Sequence, residues 1–383
     1  MNHVPVSIPD ALRIVSEGRD LDEAEAEAVF DAIMSGRATP LLVAALLAAL
    51  KTKGESATEI AGAARAMRRA GRRLAADPAR LIDTCGTGGD GAGTFNISTT
   101  AAVVAAAAGA RVAKHGNRAA SSRCGSADVL EELGVAIELE PDAALACLER
   151  VGITFLFAPR YHPAMRHAVE ARRELRLRTL FNYLGPLTNP AGARRQVIGV
   201  ADSVTFDRLT TVLGRLDYDH CVLVHGREGL DEVSLAGPTR VAEWKEGRLR
   251  EYDVGPADFG LAPRPLSALS GGEAAENARA VRAVLSGQGL AGAEERDHGP
   301  DLSAAADVVA LNAGCALYVA GLSAGWREGV ERARAVLAAG GGARKLDEWI
   351  RVSRALERTG PQGAAEDASG EDHSLHGTYE RSR

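Results

Sequence analysis

Five glycines within eight residues limit what this chain can fold into more than any other feature of its sequence. They lie in residues 83–99, DTCGTGGDGAGTFNIST, as Gly86, Gly88, Gly89, Gly91 and Gly93. Because glycine lacks a Cβ, the backbone of such a run can adopt positive φ, and an anion can approach its N–H groups closely. A short apolar run precedes the glycines and an alanine-rich run follows them. The sequence therefore predicts a strand, an anion-binding loop and a helix, in that order.

The polar residues in and after this run suit an anion site without establishing one alone. Asp90 could orient hydroxyl groups or a metal-bound water, and Asn96, Ser98 and Thr99 could cap the following helix. A flexible turn before a capped helix explains the same residues. The run contains neither GKS/T nor GxGxxG, which argues against ATP and dinucleotide binding.

The chain changes character near residue 75. Before it, several helix start signals predict a compact set of helices. These signals are Asp20 with Glu23, Thr39 before Pro40, and Ser56 with Glu59. After it, short apolar runs alternate with helical stretches and glycine-rich turns, and these runs are residues 81–82, 111–113, 153–157, 196–200 and 221–224. The pattern predicts an α/β fold: a small N-terminal α-helical domain plus a larger α/β domain with a mostly parallel central sheet.

The domain boundaries follow from the same change. Residues 1–75 are assigned to the helical domain, joined by helices from about residues 163–190, and residues 76–162 and 191–358 to the α/β domain. A chain of 383 residues is expected to hold two domains. Residues 359–383 are polar and lack an apolar period, so they predict a disordered tail.

A second polar segment, residues 114–128, has the sequence KHGNRAASSRCGSAD. It combines two cations with three hydroxyl groups beside glycines, and these residues are Lys114, Arg118, Ser121, Ser122 and Ser126. Cations neutralise a polyphosphate and hydroxyl groups donate hydrogen bonds to its oxygens. Alone, the segment slightly favours a solvated polar loop. Its position after the glycine-rich loop favours a second half of a phosphate site.

Two further charge patterns carry candidate chemistry. Asp231 and Glu232 are adjacent carboxylates that follow an apolar run, and such a pair suits a hard divalent cation, although most acidic pairs are surface features. Residues 160–178 contain six arginines together with His162 and His167. A solvated helix face explains most of these arginines, and the alternative is that one of them pairs with the carboxylate of a ligand.

Charge and cysteine usage exclude several classes of protein. A net charge of −6 and a pI of about 5.9 argue against a nucleic-acid-binding surface. The five cysteines are scattered without a CxxC spacing, which indicates reduced thiols rather than a disulfide framework. No secretion signal is visible, and the apolar runs at residues 41–50 and 101–110 are too short to span a bilayer. We expect a cytoplasmic protein with no membrane and no nucleic-acid partner.

Together the motifs resemble those of one enzyme family. GTGGDGAGTFNIST, KHGNR followed by SS and GSAD, and DEVSL at residues 231–235 resemble the anthranilate phosphoribosyltransferases. The resemblance spans roughly residues 19–350 and includes FNYLGPLTNPA at residues 181–191 and GGEAAENA near residue 275. It implies a homodimer formed through the helical domain, with an active site in the hinge between the two domains. The implied reaction transfers the phosphoribosyl group from phosphoribosyl pyrophosphate to the amine of anthranilate, in tryptophan biosynthesis.

The resemblance also implies roles for individual residues. The donor would be bound by Gly86, Gly89, Asp90, Thr94, Asn96, Ile97, Ser98, Thr99, Lys114, Asn117, Arg118, Ser121, Ser122 and Ser126. Anthranilate would contact Gly86, His115, Asn117, His162 and Arg172, and Mg²⁺ would be held by Ser98, Asp231 and Glu232. No residue is expected to act as a nucleophile or an obligate base, because an aryl amine is already unprotonated at neutral pH.

One departure and two alternatives accompany this hypothesis. Cys124 stands where the family pattern has serine, which puts one phosphate contact in doubt. A pyrimidine nucleoside phosphorylase-like enzyme would share the fold, but KHGNR and DEVSL argue against it. A non-catalytic relative that binds nucleic acid is the third interpretation, and the acidic pI argues against that one.

Overall fold

The computed structural model describes residues 6–119, 122–290 and 299–359 of the chain. Predictions about residues 1–5, about Ser121 and about the tail from residue 360 therefore lie outside the described residues. Thr359 lies at the end of the last described helix.

Four helices form the N-terminal part of the molecule. They are α1 (Ile8–Ser16), α2 (Glu23–Met34), α3 (Pro40–Lys53) and α4 (Ala57–Ala70). The predicted start signals of α3 and α4 are confirmed: Thr39 accepts a hydrogen bond from the Leu42 N–H at 3.4 Å, and Ser56 and Glu59 form a capping box.

Helix α2 begins two residues later than its predicted signal. Asp22 caps it, and Glu25 completes the capping box. Asp20 instead accepts a hydrogen bond from Lys53 Nζ at 2.5 Å. The prediction for Asp20 and Glu23 is wrong, because the acidic run contains two registers with the same spacing and a distant lysine binds the first carboxylate.

Seven strands form one sheet within the described residues. They are β1 (Leu81–Gly86), β2 (Arg111–Gly116), β3 (Ile153–Phe157), β4 (Arg195–Gly199), β5 (His220–Gly226), β6 (Thr239–Lys245) and β7 (Arg248–Val254). The strand order is β3-β2-β1-β4-β5-β6-β7, with parallel pairing from β3 to β5 and antiparallel pairing beyond it. The mostly parallel sheet is thus confirmed. The chain leaves β1 toward β2 and later returns to β4 on the other side, so the topological switch point lies at the carboxyl end of β1.

The remaining helices cover the sheet and connect its strands. They are α5 (Ile97–Ala107), α6 (Ser126–Leu133), α7 (Pro141–Val151), α8 (Ala158–Tyr161), α9 (Arg166–Leu175), α10 (Phe181–Leu184), α11 (Ser203–Val212), α12 (Ala274–Leu285), α13 (Leu302–Val319), α14 (Trp326–Ala338) and α15 (Gly341–Arg358). Helix α5 directly follows the glycine-rich loop. Helices α9 and α10 lie in the segment that was predicted to join the helical domain.

Two hydrophobic cores hold these layers together. Within the described residues, one core combines α5–α7 and α12–α15 with residues of β1–β6, and the other combines α1–α4, α9 and α10 with α11 and residues of β4–β6. Helices α9 and α10 therefore pack with the N-terminal helices. The second core also includes Phe206 of α11 and Leu223 of β5, so it continues past the proposed division at residue 75.

Helix α13 is the one helix in the described part of the chain that is long and apolar enough to cross a membrane. Of its residues, 83% are buried inside the protein. A Cβ on Gly314 would lie 2.5 Å from the Val330 backbone nitrogen of α14, so the two helices pack in close contact. Burial of this kind identifies α13 as the central helix of the larger core. Sequence reasoning considered only shorter apolar runs and missed this one.

The antiparallel hairpin of β6 and β7 is a second element that sequence reasoning missed. The strands are joined by Glu246 and Gly247, whose φ angles of 50° and 75° are both positive. Two residues of positive φ form the tight turn that matches the twist of a hairpin. Strand β7 is exposed along most of its length and forms one edge of the sheet. The alternating runs on both sides of Glu-Gly were the signal that could have predicted it.

Candidate active site

The site is built where β1 and β2 separate. These strands pair at Leu81–Arg111 and Ile82–Val112. On its other side, β1 stays paired with β4 through to Gly86–Gly199. The sheet therefore opens between β1 and β2 toward their carboxyl ends, beside the switch point where open α/β sheets bind ligands.

Buried side chains fill this opening. The carboxylate of Asp83 accepts hydrogen bonds from the backbone N–H of His115 at 3.1 Å, from Asn189 Nδ2 at 2.8 Å and from Gln196 Nε2 at 3.1 Å. These side-chain bonds replace the missing strand ladder. Because a buried carboxylate without partners would be costly, the cluster fixes the relative position of β1, β2 and the segment that carries Asn189. Sequence reasoning missed Asp83, Asn189 and Gln196, whose partners are distant in the chain.

Lys114 lies in the same opening, behind the loop. It is only 2% exposed, and its Nζ donates hydrogen bonds to the Thr84 carbonyl at 2.5 Å and to the Thr84 hydroxyl at 3.4 Å. Its charge therefore lies under the glycine-rich loop. Contact between Lys114 and a donor phosphate stays a prediction, and it would require Nζ to exchange the Thr84 carbonyl for a phosphate oxygen.

The glycine-rich loop requires glycine for two different reasons. Gly88, Gly89, Gly91 and Gly93 have φ angles of 66°, 76°, 69° and 64°, a region that side chains rarely adopt. Gly86 has ordinary φ, but a Cβ there would lie 2.5 Å from Asp231 Oδ2. The loop conformation and its close approach to the acidic pair are therefore both encoded by glycine.

The acidic pair lies against the loop and the start of α5. Asp231 Oδ2 accepts a hydrogen bond from the Gly88 N–H at 2.9 Å, and Glu232 Oε1 accepts one from the Ser98 N–H at 3.0 Å. Burial and the nearby Asp90 carboxylate raise the pKa of Asp231 to about 7. Burial and Asp231 raise the pKa of Glu232 to about 8. Two carboxylates are thus held close together at backbone N–H groups that could also bind phosphate.

The carboxylate oxygens of Asp231 and Glu232 suit a magnesium ion whose remaining ligands are water and substrate. Among the described residues, no cluster of three or more His, Cys, Asp or Glu side chains is arranged to hold a metal ion. Mg²⁺ commonly takes only one or two carboxylates and completes its coordination with water and substrate phosphate. Asp231 and Glu232 supply those two carboxylates, and Ser98 stands beside them at the helix start. This chemistry suits a metal bound jointly by protein and substrate.

The other predicted residues of the first loop lie at its far end. Thr94 pairs with Ser270 as an isolated β-bridge, and Asn96 is the residue before α5. Ile97, Ser98 and Thr99 form the first turn of that helix. The structure therefore brings the loop, the helix start and the acidic pair together.

The second predicted loop is largely satisfied by internal contacts. Arg118 binds Glu131, with its closest contact at 2.7 Å, and Asp128 at 3.2 Å. Its charge is thus neutralised. Ser126 donates a hydrogen bond to the Asn117 carbonyl at 3.3 Å. Ser122 is exposed, and Ser121 lies outside the described residues.

The backbone carbonyl of Cys124 contacts Asn96, while its thiol donates a weak hydrogen bond to the Gly125 carbonyl at 3.6 Å and lies near the Asn96 and Asn277 side chains. The Cys124 carbonyl accepts a hydrogen bond from Asn96 Nδ2 at 3.2 Å. Burial raises the pKa of the Cys124 thiol to about 11, so the thiol stays protonated at neutral pH. A serine at this position would accept the same contact through the same carbonyl. The departure from the family pattern leaves this part of the architecture unchanged.

Two buried histidines lie beside the opening. The rings of His115 and His162 have centroids 5.1 Å apart, and His115 Nδ1 lies 3.1 Å from the Gly185 carbonyl oxygen. Within the described part of the chain, His115 Nε2 has no hydrogen-bond partner, and the ring nitrogens of His162 make no hydrogen bond of normal geometry, although the Thr188 backbone lies near that ring. Burial lowers the pKa of His115 to about 3 and that of His162 to about 4. Both rings are therefore neutral and retain unused hydrogen-bonding capacity.

Arg172 differs from its neighbours on α9. Its guanidinium lies over the Phe181 ring, 5.7 Å from the centroid, and has no ion-pair partner among the residues that the structure describes. Burial lowers the pKa of Arg172. Arg173, by contrast, is exposed and pairs with Glu174 at 3.4 Å. A partly buried, unpaired guanidinium is suited to bind a carboxylate ligand.

Arg178 is a site residue that sequence reasoning did not single out. It donates hydrogen bonds to the Gly88 carbonyl at 3.2 Å and to the Gly89 carbonyl at 3.4 Å. A Cβ on Gly89 would lie 3.0 Å from its guanidinium. Arg178 thus connects the segment after α9 with the glycine-rich loop. Arg178 is one of six arginines in residues 160–178, and no sequence pattern distinguishes it, because only the fold brings its carbonyl partners near.

Most of the chain is similar to one family of known proteins. Residues 78–343 match the α/β domain of a glycosyl transferase family, and residues 9–71 match its helical bundle domain. The anthranilate phosphoribosyltransferase of Rubrobacter xylanophilus is 50% identical over 351 residues, which cover 92% of this chain and 99% of that protein. The crystal structure of the Thermus thermophilus enzyme of the same name has a TM-score of 0.81 at 46% identity, covering 90% of this chain and 99% of that one. The Saccharomyces cerevisiae enzyme in complex with PRPP and Mg has a TM-score of 0.80 at 26% identity, covering 91% and 98%.

Proposed function

The chain belongs to the anthranilate phosphoribosyltransferase family, and we propose that it transfers the phosphoribosyl group of phosphoribosyl pyrophosphate to the amine of anthranilate. The products are N-(5-phosphoribosyl)anthranilate and pyrophosphate, in the biosynthesis of tryptophan. One observation in this molecule carries the proposal. The carboxylates of Asp231 and Glu232, which are suited to bind Mg²⁺, accept hydrogen bonds from the N–H groups of Gly88 and Ser98, which are suited to bind phosphate.

The donor side of the site comprises residues 86–99 with Asp231 and Glu232. Its N–H groups and the start of α5 would bind the phosphates of the donor, and Mg²⁺ held by Asp231, Glu232 and Ser98 would neutralise pyrophosphate charge. The two carboxylates now hold the N–H groups of Gly88 and Ser98. Donor binding therefore exchanges two internal hydrogen bonds for bonds to phosphate oxygens, and it frees the carboxylates.

The acceptor side comprises His115, His162 and Arg172. The Arg172 guanidinium would pair with the carboxylate of anthranilate while the aromatic ring packs beside it. The neutral imidazoles would line the space of the amine. Their neutrality is useful because a cation there would oppose the positive charge that develops on the ribose.

The chemistry follows from this placement. The amine nitrogen forms a bond to ribose C1 as the bond from C1 to the pyrophosphate oxygen breaks, and the amine proton is released once the C–N bond has formed. The amine is a nucleophile without prior deprotonation. The protein therefore contributes orientation of two reactants and stabilisation of the leaving pyrophosphate, which together can account for large rate enhancements.

The activity is tested with the natural fluorescence of anthranilate. The full chain is mixed with anthranilate, phosphoribosyl pyrophosphate and Mg²⁺, and loss of the anthranilate signal is followed with and without chelator. We expect enzyme-dependent loss that requires both donor and metal. A folded protein that leaves the signal unchanged would contradict the proposed reaction.

We also propose that the protein is a cytoplasmic homodimer joined through its helices. The most exposed large apolar side chain of the described residues, Leu41 at 79%, lies on α3, and Val169 at 54% lies on α9, which packs against α3. Exposed apolar side chains on two helices that pack together favour association. Leu41→Glu with Val169→Glu should give a monomer in sedimentation velocity, whereas Leu249→Glu on the sheet edge should leave the dimer intact.

A further inference from the structure

We propose that Asn277 is a positioning residue for the donor side: it turns the Asn96 side chain away from the start of α5 and thereby keeps the Thr99 N–H available to a donor phosphate. This inference rests on the proposed function. Asn277 lies in the first turn of α12, is 2% exposed, and has no direct place among the residues assigned above to the donor or the metal.

A chain of hydrogen bonds connects three segments behind the donor side. The Gly272 N–H donates to Asn277 Oδ1 at 2.8 Å, and Asn277 Nδ2 donates to Asn96 Oδ1 at 2.9 Å. Asn96 Nδ2 in turn donates to the Cys124 carbonyl at 3.2 Å. The chain thus runs from the segment before α12, through the glycine-rich loop, to the second loop.

Backbone groups at both ends define the orientation of the two amides. The Gly272 N–H can only donate, so the oxygen of the Asn277 amide must face it and its NH₂ must face Asn96. The Cys124 carbonyl can only accept, so the NH₂ of Asn96 must face it and its oxygen must face Asn277. Each amide therefore has one consistent orientation, and Asn277 is the donor that holds the Asn96 oxygen.

The position of Asn96 makes this restraint consequential. Asn96 is the N-cap residue of α5, where asparagine normally accepts a hydrogen bond from the second or third N–H of the helix. Its side chain makes no such bond here. The Ser98 N–H is bound by Glu232, and the Thr99 N–H has no hydrogen-bond partner within the described part of the chain. The oxygen that would satisfy Thr99 is thus held by Asn277.

Loss of Asn277 should therefore block the site rather than merely loosen it. Without its partner, Asn96 can rotate and accept from the Thr99 N–H, which is the preferred arrangement for a capping asparagine. A phosphate oxygen would then have to displace an internal hydrogen bond. The segment around Gly271 would remain attached to the loop, because its N–H donates to the Gly93 carbonyl at 2.8 Å independently of Asn277.

The test uses the full chain with Asn277→Ala, Asn96→Ala and the double variant, and Arg279→Ala as an exposed control on the same helix. Donor KM is measured by anthranilate fluorescence, and the Kd of phosphoribosyl pyrophosphate with Mg²⁺ by calorimetry. For Asn277→Ala we expect a donor KM raised roughly tenfold, as for loss of one charged hydrogen bond, with anthranilate KM and kcat changed less than twofold. Arg279→Ala should match the wild type.

The double variant separates blocking from general damage. Alanine at position 96 cannot cap the helix, so Asn96→Ala should partly rescue Asn277→Ala, and the double variant should bind the donor as Asn96→Ala does. A donor KM unchanged in Asn277→Ala, or a double variant that binds more weakly than either single variant, overturns the inference.

Asn277→Asp keeps the test decisive if the alanine variant does not fold. Aspartate still accepts from the Gly272 N–H but cannot donate to Asn96, so it should raise donor KM in the same direction. An unchanged KM in this variant also overturns the inference. Wild-type protein that neither binds the donor nor consumes anthranilate would instead contradict the proposed function, and the two failures are therefore distinct.

Discussion

The donor side and the acceptor side of the site satisfy their polar groups in opposite ways. On the donor side, Asp231 and Glu232 are hydrogen-bonded to the backbone and Arg118 of the adjoining loop is ion-paired. On the acceptor side, among the described residues, Arg172 has no ion-pair partner and the ring nitrogens of His162 make no hydrogen bond of normal geometry. The charged side chains of the donor side are therefore already paired, although the Thr99 N–H has no partner within the described residues, whereas the acceptor side chains retain unused hydrogen-bonding capacity.

This difference indicates how each substrate gains affinity. A phosphate that binds the Gly88 and Ser98 N–H groups must replace their bonds to Asp231 and Glu232, so its affinity depends on the net exchange and on the metal that it brings. On the acceptor side, the partly buried Arg172 guanidinium has lost water contacts without gaining an ion-pair partner. A ligand carboxylate that binds it breaks no existing ion pair, so most of the free energy of the new bond contributes to affinity. Substitutions should therefore reveal different signatures on the two sides.

The largest effect is expected from removal of the acidic pair's charge. Asp231→Asn with Glu232→Gln keeps oxygens that can accept from Gly88 and Ser98, so the fold should be preserved while metal binding is lost. We expect kcat/KM for the donor to fall roughly 100-fold or more, measured across a range of Mg²⁺ concentrations. Asp253→Asn, an exposed carboxylate on β7, is the matched control. Full activity in the double variant would contradict the assignment of a metal ion to Asp231 and Glu232.

The acceptor side should respond through one substrate only. Arg172→Ala should raise anthranilate KM by roughly 10- to 100-fold, the range for a hydrogen bond to a charged group, and leave donor KM nearly unchanged. Arg173→Ala, one residue along the same helix, should match the wild type because Arg173 is exposed and pairs with Glu174. Initial rates with each substrate varied in turn measure both constants. Equal effects of the two substitutions would contradict the contrast between the sides.

Acid should destabilise the acceptor side through its histidines. Because burial lowers the pKa of His162 to about 4, the unfolded chain binds this proton first as pH falls below about 6.5, and stability is lost from there down to about pH 4. At pH 5 the cost is about 2 kcal/mol. His162→Leu should therefore reduce the loss of urea stability between pH 7 and pH 5. Identical pH dependence of stability in variant and wild type would show that His162 does not contribute to the loss of stability in acid.

The smallest effect concerns the connection between the two sides. Arg176 lies between Arg172 and Arg178 at the end of α9 and has a φ of 50°, which favours glycine. Arg176→Gly should raise the free energy of unfolding by about 0.5 kcal/mol, because relief of the left-handed conformation exceeds the added chain entropy. Arg173→Gly, inside the helix, should lower it by about 1 kcal/mol. Chemical unfolding of both variants measures the difference, and a loss in both would contradict a strained position.

Sequence patterns predicted the elements whose signals are local. Strand β3 occupies residues 153–157 as expected, and the capping box of Ser56 and Glu59 has both of its bonds. In these cases the residues that interact are neighbours in the chain, or one apolar run determines the element. The glycine-rich loop was predictable for the same reason, because positive φ at consecutive glycines is a local property.

Features defined by distant contacts were not predictable. The split between β1 and β2, the burial of Lys114 beneath the loop and the link from Asn277 to Asn96 depend on residues 30 or more positions apart. The same holds for Arg178, whose partners are carbonyl groups that carry no side-chain signature. Sequence patterns therefore located the site but did not reveal which of its charges are already satisfied.

Strand β7 has a consequence for how the molecule behaves among many copies of itself. An edge strand presents unpaired backbone groups that can template sheet extension and aggregation. Here the edge displays Arg248, Arg250, Glu251 and Asp253 toward solvent. Charges of both signs on this short, exposed strand oppose the edge-to-edge pairing of two sheets, so a concentrated solution of this protein should resist aggregation through β7.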